Sequence, residues 1–343
     1  MKIYSIFYFL AWMWMQIHCQ ELVIGKELAI ANDKRYQFVH YRPNYWCPQN
    51  LNECKCEGEY SFALLTCNNI NNRTLEKFSR IYFPKIDFGK FSLTNSDVKI
   101  LWRGLFGKLT FQYIYIKKVS LRIVETGIFN RMYDSMERCE ITNCDVHTFP
   151  FSDLKFFKKL QVLRLTYNAI KNIPDSAFGN VRSLKKIYLD FNKINYIGSY
   201  AFKDLVNLES LDLRYNKLVV LNDYAFAIKS KNINLILDLS FNSISMIRNS
   251  SFNNQCPKKL YLNNNNLRIL NRGTFKSIVE KMAQVNGGVI HVEDNRFTCD
   301  CSKAEWLVLL RNVEKRHIKG FRCKNNDKGL EDLTLSDMGC KSY

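Results

Sequence analysis

The 343-residue chain predicts an α/β repeat solenoid, with a parallel concave sheet and disulfide-bonded caps at its ends. Three observations carry that expectation. One pattern of apolar residues and an asparagine returns at near-constant spacing. A phenylalanine follows the asparagine ten residues later in most copies. Cysteines cluster on either side of the repeated stretch.

The pattern is clearest at Leu160, Leu163, Leu165, Asn168 and Ile170, the order L-x-x-L-x-L-x-x-N-x-L. It returns after 24 residues with Leu184, Ile187, Leu189, Asn192 and Ile194, and after 24 more with Leu208, Leu211, Leu213, Asn216 and Leu218. Downstream copies hold Leu237, Leu239, Asn242 and Ile244, then Leu260, Leu262, Asn265 and Leu267, then Ile290, Val292, Asn295 and Phe297. Upstream, other residues replace the asparagine. Phe111, Ile114, Ile116, Val119 and Leu121 form one copy, and Met136, Cys139, Ile141, Cys144 and Val146 another. Phe83, Ile86, Phe88, Phe91 and Leu93 complete the series, giving nine repeats over residues 81–298 at spacings of 23 to 30. Phe129, Phe178, Phe202, Phe226, Phe252 and Phe275 form the second column, with Leu101 and Leu154 in the same place elsewhere.

Each column has a physical reason. Side chains alternate along a strand, so the apolar-x-apolar core of a repeat is a short strand with one buried face. The asparagine amide offers two donors and an acceptor to turn backbone that would otherwise be buried unpaired. The phenylalanines fill the opposite, convex wall. One repeat cannot bury its own apolar face, so neighbours must stack and the ends need closure.

The end cysteines supply that closure. Cys47, Cys54, Cys56 and Cys67 precede the repeats with the spacing C-x6-C-x-C-x10-C, and Pro48 follows the first of them. Cys299, Cys301, Cys323 and Cys340 follow the repeats, with Trp306 five residues after the C-x-C. Spacing alone leaves the connectivity open. On these motifs the chain resembles the extracellular leucine-rich-repeat family with N- and C-terminal cysteine-rich flanking modules. The resemblance spans about residues 47–340 and rests on Cys47-Pro48, Cys54-Lys55-Cys56 and residues 294–301. It implies the pairs Cys47–Cys56, Cys54–Cys67, Cys299–Cys323 and Cys301–Cys340. The layout also resembles the non-catalytic leucine-rich-repeat subunit of oplophorus-luciferin 2-monooxygenase and its invertebrate relatives, which implies a carrier or stabilising partner for another secreted protein. Cys139 and Cys144 read as small core residues, with a local disulfide as the alternative. Cys256 reads as free or intermolecular.

Residues 1–19 read as a secretory signal peptide: Lys2 precedes an apolar run over 3–15, and Cys19 ends the segment. The run is too short to span a membrane, and no later stretch is long enough. Residues 20–46 form an extension, 47–80 the N-terminal cysteine cap and 299–340 the C-terminal cap. Twelve cysteines and the sequons at Asn72 and Asn249 suit a secreted glycoprotein. A net charge of +18 favours acidic glycans, anionic lipid or acidic proteins as partners, and the compartment argues against nucleic acid.

The outward strand positions form the candidate partner surface. Their central column reads Asp87, Tyr115, Glu140, Arg164, Tyr188, Asp212, Asp238, Tyr261 and His291. This mixture suits a protein partner better than a uniformly acidic polymer. Tyr167, Phe191, Tyr215 and Phe241, each just before an asparagine, should form an aromatic strip beside it. The alternative is a glycan-binding cluster of Arg311, Lys315, Arg316, Lys319, Arg322 and Lys324 in the C-terminal cap. None of the five histidines sits in a metal or nucleophile motif, and no phosphate loop occurs. The sequence therefore predicts a binding protein without cofactor, metal or catalysis.

Overall fold

The computed structural model describes residues 47–48, 51, 53–253, 255–285 and 287–340. The expected signal peptide and the 20–46 extension lie outside them. Twelve strands form one sheet in sequence order. They are β1 (Cys54–Glu59), β2 (Phe62–Asn68), β3 (Asp87–Ser96), β4 (Thr110–Val119), β5 (Arg138–Thr142) and β6 (Val162–Arg164). The second half holds β7 (Lys186–Tyr188), β8 (Ser210–Asp212), β9 (Ile236–Asp238), β10 (Lys259–Tyr261), β11 (Val289–His291) and β12 (Ile318–Lys319). Only β1 and β2 pair antiparallel; all other neighbours are parallel. Leu163, Ile187, Leu211, Leu237, Leu260 and Ile290 stand side by side in this register, all fully or almost fully buried. This is a leucine-rich-repeat solenoid with disulfide-bonded caps.

Each strand ends in the same turn. The residue eight places into the repeat has positive φ in all nine copies: Asn95, Lys118, Asn143, Tyr167, Phe191, Tyr215, Phe241, Asn264 and Asp294, between 46° and 55°. The next residue turns inward and holds the turn. In Asn168, Asn192, Asn216, Asn242, Asn265 and Asn295, Nδ2 donates to a strand carbonyl of its own repeat and to one of the preceding repeat. Oδ1 accepts an N–H of the preceding repeat. A buried backbone group without a partner is costly, so this ladder fixes both the turn and the stacking register.

The first repeat departs from the sequence frame. Register places Phe88 beside Phe111, Phe91 beside Ile114, Leu93 beside Ile116 and Ser96 beside Val119. The repeat therefore begins at Phe88, five residues later than expected. Ser92, not Asp87, is the central-column neighbour of Tyr115. Phe83 is buried, but Ile86 is exposed. Ser96 takes the asparagine's role with one hydroxyl, which accepts from Ile70 N–H at 3.0 Å and donates to the Thr94 carbonyl at 2.7 Å. The same shift makes Phe106, ten residues after Ser96, the column phenylalanine. Leu101 is buried but pairs with Val124 in a short parallel ladder instead.

The opposite wall is built from turns, three two-residue parallel ladders and two helices. Phe178, Phe202, Phe226 and Phe252 stack at 5.1 to 5.8 Å between centroids and are almost fully buried. The longest repeat carries α2 (Arg272–Gln284), capped by Asn271, whose Oδ1 accepts from Thr274 N–H; α1 (Asn72–Phe78) precedes the first repeat. Phe275 is thereby presented from a helix rather than a turn, and still meets Phe252 at 6.5 Å.

Both ends are closed. Disulfides join Cys47 to Cys56 and Cys54 to Cys67 at one end, and Cys299 to Cys323 and Cys301 to Cys340 at the other. Cys54 and Cys67 face each other across the β1–β2 hairpin. In the C-terminal cap, α3 (Cys301–Val308) buries Trp306, whose Nε1 donates to the Leu270 carbonyl at 3.0 Å. Phe321 stacks on Phe297 of the last repeat at 4.5 Å. Cys139, Cys144 and Cys256 are free. Burial pushes the Cys139 thiol up to about 12 and that of Cys144 up to about 11. Cys144 stands in the ladder position, with Sγ donating to the Thr142 carbonyl at 3.3 Å.

Candidate binding surface

Two outward columns line the sheet. The central one runs Ser92, Tyr115, Glu140, Arg164, Tyr188, Asp212, Asp238, Tyr261, His291 and Lys319, each beside the next. A second, two residues earlier, runs Lys90, Tyr113, Arg138, Val162, Lys186, Ser210, Ile236, Lys259 and Val289. The sequence reading missed this column, although period-two alternation points to it as directly as to the first.

Cations lie on rings over the first half of this surface. Lys90 Nζ stands 4.5 Å from the Tyr115 ring and 5.0 Å from that of Tyr113. Arg138 covers Tyr113 at 5.7 Å and binds Glu140 at 3.2 Å. Burial and the Glu140 carboxylate raise the Tyr113 phenol above its usual range. The Arg164 guanidinium lies 3.7 Å over the Tyr188 ring, and Arg164 is half-buried. Among the described residues it has no ion-pair or hydrogen-bond acceptor.

Carboxylates take over in the middle. Asp190 and Asp212 are buried, and Asp238 is half-buried beside Asp212. Asp190 accepts from Thr166 Oγ1 at 2.9 Å, and Asp238 from the Ser240 amide at 3.0 Å. Asp212 pairs with Arg214 Nε at 3.1 Å. Burial first, and the charge of Asp190 second, nevertheless raise Asp212 to about 6. One guanidinium does not match three clustered acids. Past them, Tyr261 stacks on His291 at 4.8 Å, and His291 Nδ1 lies 3.2 Å from Glu293.

The aromatic strip forms, but three residues past the strand ends rather than on the sheet. Tyr167, Phe191, Tyr215 and Phe241 stack at 4.2, 4.3 and 4.4 Å with ring planes within 12°. Stacking occupies the ring faces between neighbours, so a partner meets edges and the two outer faces. Backbone with positive φ strains a bulky residue by about 1 kcal/mol. Stacking at a spacing near the strand-to-strand distance offsets that strain.

The C-terminal basic residues do not act as one free cluster. Arg311 is held by Glu314, and Arg322 by Asp327 at 3.0 Å. Lys319 lies on β12 beside His291, at the end of the sheet. Lys315 closes α4 (Asn312–Lys315), where Arg316 donates to the Val313 carbonyl, and Lys324 is exposed. Asn72 opens α1 and is exposed, its Oδ1 accepting from Lys99 N–H at 3.0 Å. Asn249 is exposed on the wall opposite the sheet, between the short strand Met246–Ile247 and Phe252. The described residues contain no group of three or more potential metal ligands and no helix long and apolar enough to cross a membrane.

Fold and caps together define a capped leucine-rich-repeat solenoid. The leucine-rich-repeat family pattern matches residues 158–227, where the consensus is least disturbed. The fold is similar to a chain of the solved octameric complex of Latrophilin 3, Unc5D and FLRT2, in which FLRT2 is the leucine-rich-repeat member. The TM-score is 0.50 at 17% identity, covering 86% of this chain and 100% of that one. Among curated proteins none matches.

Proposed function

We propose that this chain is a secreted, non-catalytic protein that binds another extracellular protein through its concave sheet. One observation carries the reading. Arg164 lies over Tyr188 with no acceptor for its donors among the described residues, and the next two positions of the same column are Asp212 and Asp238. Strands lie ~4.8 Å apart, so an unsatisfied cation and an acidic group in excess of its cations stand roughly 10 Å apart. A folded surface carrying an acidic and a basic group matches both; a uniformly acidic polymer is repelled by the second. The complex that contains the chain of similar fold supports a protein partner. Likeness of layout to the non-catalytic luciferase subunit would make that partner another secreted protein that this chain carries or stabilises.

In this reading Tyr115, Arg164, Tyr188, Asp212, Asp238 and Tyr261 contact the partner, and the edges of Tyr167, Phe191, Tyr215 and Phe241 border it. Glycans at Asn72 and Asn249 would leave the sheet open. Acidic glycans are the competing class, carried by Lys315, Arg316, Lys319 and Lys324. The test is capture from the native secretion with the purified chain and two variants. Arg164→Glu should abolish capture of the protein partner, and Arg316→Ala should leave it intact. The opposite pattern, with retention on heparin well above physiological salt, would replace the protein reading with the glycan one.

A further inference from the structure

Two of the longer repeats open a cleft of about 410 Å³ beside the starts of β10 and β11. Its walls come from Ile233 in the loop before β9, from Cys256 and Pro257 before β10, and from Val285 at the end of α2. Two of these apolar residues are unusually open for their type, Ile233 at 84% and Val285 at 74% exposure. Exposed apolar groups gathered round one concavity mark a binding site more often than scattered ones do.

The charged side chains of the cleft have one sign, beside the neutral amides of Asn234 and Gln284. Lys258 and Lys281 line it, and no carboxylate does among the described residues. Lys258 Nζ folds over Gly287, 2.9 Å from where a Cβ would stand, so any larger residue there would displace the ammonium. Lys258 has no carboxylate within ion-pair distance among the described residues. The free thiol of Cys256 is half-buried in the same wall, and burial raises it above its usual range.

We propose that this cleft binds a small anionic amphiphile: an apolar chain or ring lying against Ile233, Pro257 and Val285, with a carboxylate or sulfonate head on Lys258. Charge complementarity and apolar enclosure together select such a ligand. A neutral ligand would leave the ammonium unmatched, and a cationic one would meet it directly. None of the lining residues belongs to the two outward columns of the sheet, so neither proposal depends on the other.

Decanoate is the probe, and Cys256 is a native reporter of the site, because it is the free thiol among the described residues that lines the cleft. Calorimetry on the full chain should show one saturable decanoate site. Decanoate should slow iodoacetamide modification of Cys256, read by peptide mass spectrometry, over the same concentration range. Decylamine and decanol should protect far less. Lys258→Glu, at an exposed position, should raise the half-saturating decanoate concentration about tenfold, corresponding to ~1.4 kcal/mol, without changing the thermal unfolding curve. Equal protection by decanoate and decylamine, unaltered affinity in Lys258→Glu, or the absence of saturable binding would each overturn the proposal. The calorimetric result decides even if Cys256 proves too slow to modify.

Discussion

Asn192 shows what one side chain contributes in this fold. Its amide serves the carbonyls of Leu165 and Leu189 and the N–H of Ile170, at 2.8, 3.0 and 3.1 Å. All three groups lie in the buried seam between two repeats. Removing the amide leaves them unpaired, and each unpaired group costs ~1–3 kcal/mol. Asn192→Ala should therefore destabilise the chain by about 3 kcal/mol in urea unfolding, while Asn195→Ala, at an exposed position, should cost little. The asparagines were legible in the sequence because an amide is the usual way to meet this demand. Ser96 was not, because its single hydroxyl satisfies a smaller share of it. Periodicity could not correct the error, since Phe83, Phe88, Phe91 and Leu93 are apolar in either frame. Only pairing with Phe111 and Ile114 decides between them.

Asp212 is the residue whose charge state matters most. Its folded value of about 6 stands above the ordinary 3.8. The folded chain therefore holds a proton more firmly than the unfolded one. The stability this group contributes is complete below pH 3.8 and is lost as pH rises through about 6. Asp212→Asn should raise Tm at pH 7 and leave it nearly unchanged at pH 4. A variant with lower Tm at pH 7 would mean that the Arg214 pair outweighs burial and the neighbouring acids.

At the scale of elements, the aromatic ladder explains why four bulky residues tolerate a left-handed turn. Phe191 is stacked on both faces, whereas Tyr167 is stacked within the ladder on one. Phe191→Ala should cost about 2 kcal/mol, and Tyr167→Ala about half of that. Comparable losses would show that stacking is not what holds the turn. The strip was legible as a column, but not its geometry. Sequence spacing places rings one repeat apart and says nothing of how the turn rotates them. The cleft beside Val285 was illegible for a similar reason. Ile233, Pro257 and Val285 come from three successive repeats, and the only trace in the sequence is that two of those repeats are long.

On the scale of the whole molecule, the solenoid is a chain of nearest-neighbour contacts sealed at its ends. Losing a cap exposes the apolar face of a terminal repeat, and unfolding can then propagate inward. Replacing Cys301 and Cys340 with serine removes a cross-link spanning 39 residues. That should lower stability by about 3 kcal/mol, with hydrogen exchange rising first in β12 and β11 rather than in β3. The repeat frame from residue 111 onward and the cap cysteines could be read from local spacing. The outward face of the sheet was only half visible, because Lys90, Tyr113 and Arg138 acquire meaning when cation and ring from different repeats come to face one another.

The central claim is that the outward face of the sheet is where a protein partner sits. A photo-crosslinker placed at Tyr188 on the sheet, and separately at Tyr196 on the short ladder of the opposite wall, tests it directly. The account predicts a discrete crosslinked protein from the Tyr188 position in the native secretion, and none from Tyr196. Crosslinking from Tyr196 alone would place the partner on the other wall and contradict the account.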